Sequence, residues 1–257
     1  MCVAVFAWKI HPDFPLVFAG NRDERHARAA SAAGFWDDAP QVLAGRDLEA
    51  GGTWLGVTAG GRFALVTNYR EGPNPHSGPR SRGELTADFL RGAALPQDYL
   101  AAVRRYAHDY APFSLIVGDA DSLWFFSNRG EQTPQPISPG IHGLSNHLLD
   151  TPWPKVTLSK SRLETLLVPG MPTIEELILL LADRTPASAN ELPDTGIGTE
   201  RERQISPVFV VNPEYGTRCS NAILRARNGD LRFVERRFDA KGRRLETRDF
   251  QLTGSGA

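Results

Sequence analysis

The sequence predicts an α+β protein, a four-layer αββα sandwich of two stacked antiparallel sheets with helices on the outer faces. Two observations lead there. Short β-rich runs fill both ends of the chain, and helical stretches stand on either side of a central hairpin. That order leaves each sheet one face for a partner sheet and one for helices. At 257 residues the chain is long enough for one sizeable core and reads as a single domain, 1–257.

The elements follow in order. Cys2–Trp8 and Pro15–Ala19 are β-rich runs joined by His11-Pro12-Asp13. Val42–Ala44, Thr53–Thr58 and Arg62–Asn68 come next. Gly60-Gly61 between the last two tolerates positive φ, so those two pair antiparallel. Ser81 with Glu84 three residues later is a capping-box signal ahead of Leu85–Arg91, and Tyr99, Val103 and Tyr106 mark one face of a second helix. Phe113–Val117 and Leu123–Ser127 flank a turn containing Gly118, Asp119 and Asp121. Lys155–Leu167 and Thr173–Asp183 read as helices, the second capped by Thr173 and Glu176 with Ile174, Leu177, Ile178 and Leu181 as its inner stripe. The stretch 185–205 is rich in Pro, Gly and charge and has no period, which predicts a mobile or substrate-covering loop. Strands return at Val208–Val211, Arg218–Ala226, Leu231–Phe238 and Leu245–Leu252, with a primed-turn signal at Asn228-Gly229.

Composition narrows the function. With 29 basic against 30 acidic residues and no long basic run, neither nucleic acid nor a membrane surface is favoured as a partner, which leaves small molecules. Two cysteines are too few for a disulfide framework, so a reducing, cytoplasmic compartment is expected. The apolar run Val3–Trp8 has no basic residues before it and no small-residue cleavage site after it, and no later run approaches a membrane-spanning length. All but four of the 29 basic residues are arginine, and Ala, Gly and Pro are abundant, a composition expected of a bacterial, GC-rich source.

Cys2 stands out by position. Removal of Met1 would leave a thiol and a free α-amine on one residue, the amine serving as a built-in base with a reference pKa of about 7.7 to 8. The run Asn21-Arg22-Asp23-Glu24 follows the second strand directly and is expected to leave the sheet within reach of Cys2, its four polar groups converging. A carboxylate there can hold the α-amine, and an arginine can grip an anionic substrate in bidentate fashion. The plainer alternatives are a packing cysteine and a solvated turn with surface ion pairs.

The Met1-Cys2 opening, Asn21-Arg22-Asp23-Glu24, Gly51-Gly52-Thr53-Trp54-Leu55-Gly56, Thr67-Asn68-Tyr69, Arg82-Gly83-Glu84-Leu85, Gly143-Leu144-Ser145-Asn146, Thr151-Pro152-Trp153 and Tyr215-Gly216-Thr217-Arg218 form an ordered set spanning nearly the whole chain. This set resembles the NRDE family, also called the transport and Golgi organisation 2 family. The resemblance implies the fold of N-terminal-nucleophile hydrolases. It extends more weakly to the bile-salt hydrolase and penicillin V acylase group, whose reaction is amide hydrolysis. It implies Cys2 as nucleophile and Asp23 beside its amine, through the pattern Asn21-x-Asp23. It further implies Asn68 and Asn146 around the oxyanion and Arg218 as a late site arginine, with Asn21, Arg22 and Glu24 expected to contact substrate. One departure is that those acylases carry arginine just before the asparagine, where this chain has Gly20, with Arg22 after Asn21 instead.

Two functions are therefore expected to compete. One is hydrolysis of an acyl amide or thioester at Cys2, requiring no cofactor. The other, which the resemblance also implies, is non-enzymatic trafficking of haem or handling of acyl-coenzyme A or lipid. His11, His26, His76, His108, His142 and His147 form no haem-attachment motif, and no metal site is expected. His142 and His147 bracket Asn146 and read as hydrogen-bonding residues. Cys219 reads as a packing cysteine, because strand alternation points it away from the face that carries Arg218. The Gly51–Gly56 stretch lacks a P-loop lysine, so its glycines serve turns and close packing.

Overall fold

The computed structural model describes residues 2–72, 78–168 and 170–254, so Met1 and His76 lie outside the described residues. Six strands form the first sheet: β1 (Cys2–Trp8), β2 (Leu16–Arg25), β10 (Gly140–Leu144), β11 (Tyr215–Arg225), β12 (Leu231–Phe238) and β13 (Arg244–Leu252), in the order β10-β1-β2-β11-β12-β13. The second sheet runs in sequence order: β3 (Ala30–Trp36), β4 (Ala39–Asp47), β5 (Leu55–Thr58), β6 (Phe63–Asn68), β7 (Phe113–Gly118), β8 (Leu123–Ser127) and β9 (Gln135–Pro136). Neighbouring strands in both sheets are antiparallel.

Alternation along β1 assigns the layers. Ala4, Phe6 and Trp8 point between the sheets and meet Phe18, Leu55, Leu65 and Ile116. Val3, Val5 and Ala7 point outward, beneath helices α3 (Pro154–Leu167) and α4 (Ile174–Leu180), and pack with Leu163, Leu177 and Leu181. Helices α1 (Arg82–Arg91) and α2 (Pro96–Arg104) cover the second sheet, setting Leu85, Phe89, Leu100 and Val103 on Val66, Leu115 and Val117. The predicted αββα sandwich is thus the observed architecture, and β1 is buried on both faces because each face meets its own apolar layer.

Local chemistry decides where elements start and stop. Thr173 accepts from the Glu176 N–H and Glu176 reaches back to the Thr173 N–H, so the predicted capping box of α4 forms. At α1 it does not: Ser81 is the N-cap but makes no side-chain cap bond, and the Glu84 carboxylate is instead paired with Arg80 at 2.8 Å. Val208–Val211, predicted as a strand, joins no ladder. The Val208 carbonyl accepts from the Asn21 amide, Phe209 donates to the Asp183 carbonyl, and Val210 donates to Thr217 Oγ1. The stretch 185–205 forms a short 3₁₀ turn and helix α5 (Thr199–Gln204). It lines no part of the cleft described below, contrary to the expected substrate cover. Glu202 fastens it, being 2 % exposed, 3.1 Å from Arg70 and the acceptor of the Thr195 hydroxyl. Among the described residues no helix is long and apolar enough to cross a membrane.

Candidate active site

The two sheets part at the start of β1 to form a cleft of about 410 Å³. Its floor is read from strand register. Cys2 pairs with Arg22, Arg22 with Cys219 and Cys219 with Arg237, so four residues stand side by side on one face of β1, β2, β11 and β12. All four line the cleft: thiol, guanidinium, thiol, guanidinium.

The Asn21-Arg22-Asp23-Glu24 run does not leave the sheet. It is the last part of β2, a strand paired on both sides, so its backbone groups are satisfied by ladders and alternation splits its side chains. Arg22 and Glu24 face the cleft, with Arg22 lying 3.8 Å from both Glu24 and Asp47. Asn21 points to the opposite face, where its amide donates to the carbonyls of Leu181 and Val208 and its Oδ1 accepts from Ser220. Asn21 is therefore a brace beneath the sheet and not the substrate contact expected of it. Asp23, 1 % exposed, borders the cleft while its side chain turns to the helix-covered face; it accepts from Thr217 Oγ1 at 2.7 Å, and its carbonyl accepts from the Tyr215 hydroxyl.

Asn68 ends β6 and lines the cleft opposite Cys2's strand. Asn146 is fully buried, adopts φ +55°, does not line the cleft, and donates its amide to the Asn68 carbonyl at 3.0 Å. It acts on the site by holding Asn68, while its neighbour Ser145 donates to the Cys2 carbonyl at 2.9 Å. Arg218 lines the cleft, but its Nη1 donates to the carbonyls of Arg25, His26 and Arg28 at 2.9, 3.1 and 3.0 Å, clamping the turn that leaves β2. The register of β11 shifts between Thr217 and Cys219, a β-bulge at Arg218. That extra residue is why Arg218 and Cys219 both reach the cleft, correcting the alternation argument that set Cys219 apart as packing.

The sequence profile of the family described as Transport and Golgi organisation 2 matches residues 1–240. The chain belongs to the transport and Golgi organisation 2 family. The Bos taurus transport and Golgi organization protein 2 homolog is 36% identical over 92% of this chain and 92% of its own, and the Mus musculus homolog is 33% identical over 98% and 99%. Among solved structures, the Caenorhabditis elegans N-acylethanolamine-hydrolyzing acid amidase ortholog superposes with a TM-score of 0.47 at 13% identity, over 76% of this chain and 95% of that one.

The family motifs at Gly51–Gly56 and Arg82–Leu85 prove to be one piece of structure. A Cβ on Gly52 would collide with the backbone of Gly83, and Thr53 N–H donates to the Gly83 carbonyl at 3.1 Å, so two glycines let the strand entry and the helix start touch. That contact sets Arg82, the first residue of α1, in the cleft. Its Nη1 donates to the Pro112 carbonyl, and among the described residues it forms no ion pair. Burial pulls its pKa down, while the fields of Glu24 and Cys2 hold it up.

Electrostatics complete the site. Seven arginines and four carboxylates line the cleft, so it favours an anion. Burial pushes the Cys2 thiol up and the Asp23 carboxylate adds to this, while Arg22 pulls the other way. The resting thiol is consequently protonated and needs a base to become a nucleophile. Burial also raises Asp23, and among side chains Lys155 does most to oppose it. Lys155 was not legible as a site residue: as the second residue of a helix it reads as exposed, yet it is 3 % exposed and donates to the Ile205 carbonyl at 2.8 Å. No group of three or more His, Cys, Asp or Glu able to hold a metal ion occurs among the described residues.

Proposed function

We propose that this protein is an acyl-transfer hydrolase of the N-terminal-nucleophile type, acting through Cys2 on an amide or thioester whose acyl or leaving portion carries an anionic group. The observation that carries the reading is the junction at Cys2, where a thiol at the head of a strand lines an arginine-rich cleft beside a buried aspartate. Once Met1 is removed, the Cys2 α-amine accepts the thiol proton, the sulfur attacks the acyl carbonyl, and the amine returns the proton to the departing nitrogen or sulfur. Water then cleaves the Cys2 thioester and restores the thiol. Asp23 holds the amine, Asn68 is placed to donate to the developing oxyanion, and Arg22 and Arg82 hold the anionic group.

Turnover of a panel of acyl amides and acyl thioesters, with and without carboxylate or phosphate groups, tests this. Wild type is expected to hydrolyse an anionic member and Cys2→Ala to lose that activity by at least about 10³-fold. Undiminished turnover by Cys2→Ala sinks the reading. A carrier of acyl-coenzyme A is the second reading, favoured by the same arginines. It predicts saturable binding without turnover that survives Cys2→Ala. Haem as cargo is less well matched, since among the described residues no histidine lines the cleft and guanidinium and carboxylate groups crowd it.

A further inference from the structure

One charge beneath the first sheet, the Lys155 ammonium, has no place in the scheme above. Asp23 and Thr217 are register partners, so both side chains point to the helix-covered face, where the Thr217 hydroxyl is bonded to the Asp23 carboxylate. Helix α3 packs on that face against β1 and β10, and its second residue buries an ammonium there. Among the described residues that ammonium donates to one backbone carbonyl, of Ile205 at 2.8 Å. An ammonium held by a single neutral acceptor is costly to bury, and a carboxylate within range offsets that cost.

We propose that Lys155 is a positioning residue of the Cys2 site, an ammonium behind the sheet that keeps the Asp23 carboxylate ionised and so able to hold the Cys2 amine in front. This deepens the acyl-transfer reading and rests on it, because a carrier has no need of a fixed amine. The charged and titratable groups whose fields reach Lys155 are Asp23 from β2, Cys2 from β1, Arg70 after β6 and Glu202 from α5. Asp23 and Glu202 favour the ammonium and Arg70 opposes it. Burial pushes Lys155 down to about 8, which closes the window of the ionised pair on the alkaline side.

Two measurements need no substrate. The first is the rate of iodoacetamide alkylation at Cys2 as a function of pH, read by peptide mass in wild type and Lys155→Met. The variant is expected to move the midpoint by about one unit, changing the alkylation rate at pH 7 about tenfold. The second is a denaturation cycle of Asp23→Asn, Lys155→Met and the double variant, in which the double is expected to lose much less than the two singles together. Should Lys155→Met fail to fold, the double variant is expected to fold, since both buried charges leave at once. Additive losses, an unfolded double variant, or a folded Lys155→Met with the wild-type Cys2 midpoint would each overturn the proposal. An absence of turnover on every acyl probe would instead sink the hydrolase reading while these two measurements still judge the pair.

Discussion

A thiol raised by burial cannot attack a carbonyl unless a base lies within reach, and in the proposed reaction removal of Met1 would supply that base as the Cys2 α-amine. Under that proposal the residue's position at the start of β1 is chemically specific, because no other strand residue would carry both groups. Substrate grip is separable from that chemistry. Arg82 has no carboxylate partner among the described residues, whereas Arg28, beside it in the cleft wall, is bonded to Asp47 at 2.6 Å. Arg82→Gln is accordingly expected to raise KM for an anionic substrate about 10- to 100-fold with a smaller change in kcat, the loss of one charge-assisted contact. Steady-state kinetics on anionic and neutral substrates checks it; an equal effect on the neutral substrate would remove Arg82 from recognition. The role of Arg82 could be read only as a family motif in the sequence, because the approach of Gly52 to Gly83 that delivers it is a tertiary event.

Among elements, β2 and β11 decide the site, and they show where a sequence stops being legible. The polar run at 21–24 looks like a turn, but a strand paired on both sides tolerates it, because ladders and buried partners satisfy its groups. Alternation then sends Arg22 one way and Asp23 the other, which no reading of four adjacent polar residues as a cluster could give. The bulge at Arg218 is equally invisible, since it arises from register between strands almost 200 positions apart in the chain. Strand β3 was missed because Ala30-Ser31-Ala32-Ala33-Gly34 lacks both β-branched residues and an apolar alternation, and its pairing with β4 is itself irregular. By contrast the capping box of α4 was legible and is present, because its chemistry is local. The clamp at the bulge yields a stability test: Arg218→Ala is expected to cost about 2 kcal/mol by loss of its three carbonyl contacts. Denaturant unfolding measures this, and a lost activity without lost stability would favour a direct catalytic part for Arg218.

At the scale of the whole molecule, the two sheets and their helix layers were predictable from element order, while the ties that hold layers in register were not. One tie is the cluster in which Asp150 accepts from His142 of β10 at 2.7 Å, from Lys160 of α3 at 2.6 Å and from the Gly143 N–H. The bond to Asp150 raises His142, and burial works against it. Burial would raise Asp150, but its bonds to His142 and Lys160 outweigh that and lower it. A raised histidine contributes stability that is complete below its unfolded value of about 6.5 and is lost as pH rises through the folded value. A lowered aspartate contributes above about 3.9 and fails as pH falls through its folded value. The stability gap between wild type and His142→Gln is therefore expected to be full near pH 6 and to shrink as pH rises toward 8, read from denaturation midpoints. A gap that is constant across this range would show that the pair carries no net charge coupling.

In the proposed reaction Cys2 carries the acyl group. Intact-mass analysis of protein quenched during turnover of an anionic acyl thioester or amide tests it most directly. The expected species is a chain lacking Met1 and heavier by one acyl group, mapped to Cys2 and absent from Cys2→Ala. A chain that retains Met1, or turnover that proceeds with the acyl group elsewhere or undiminished in Cys2→Ala, would contradict it.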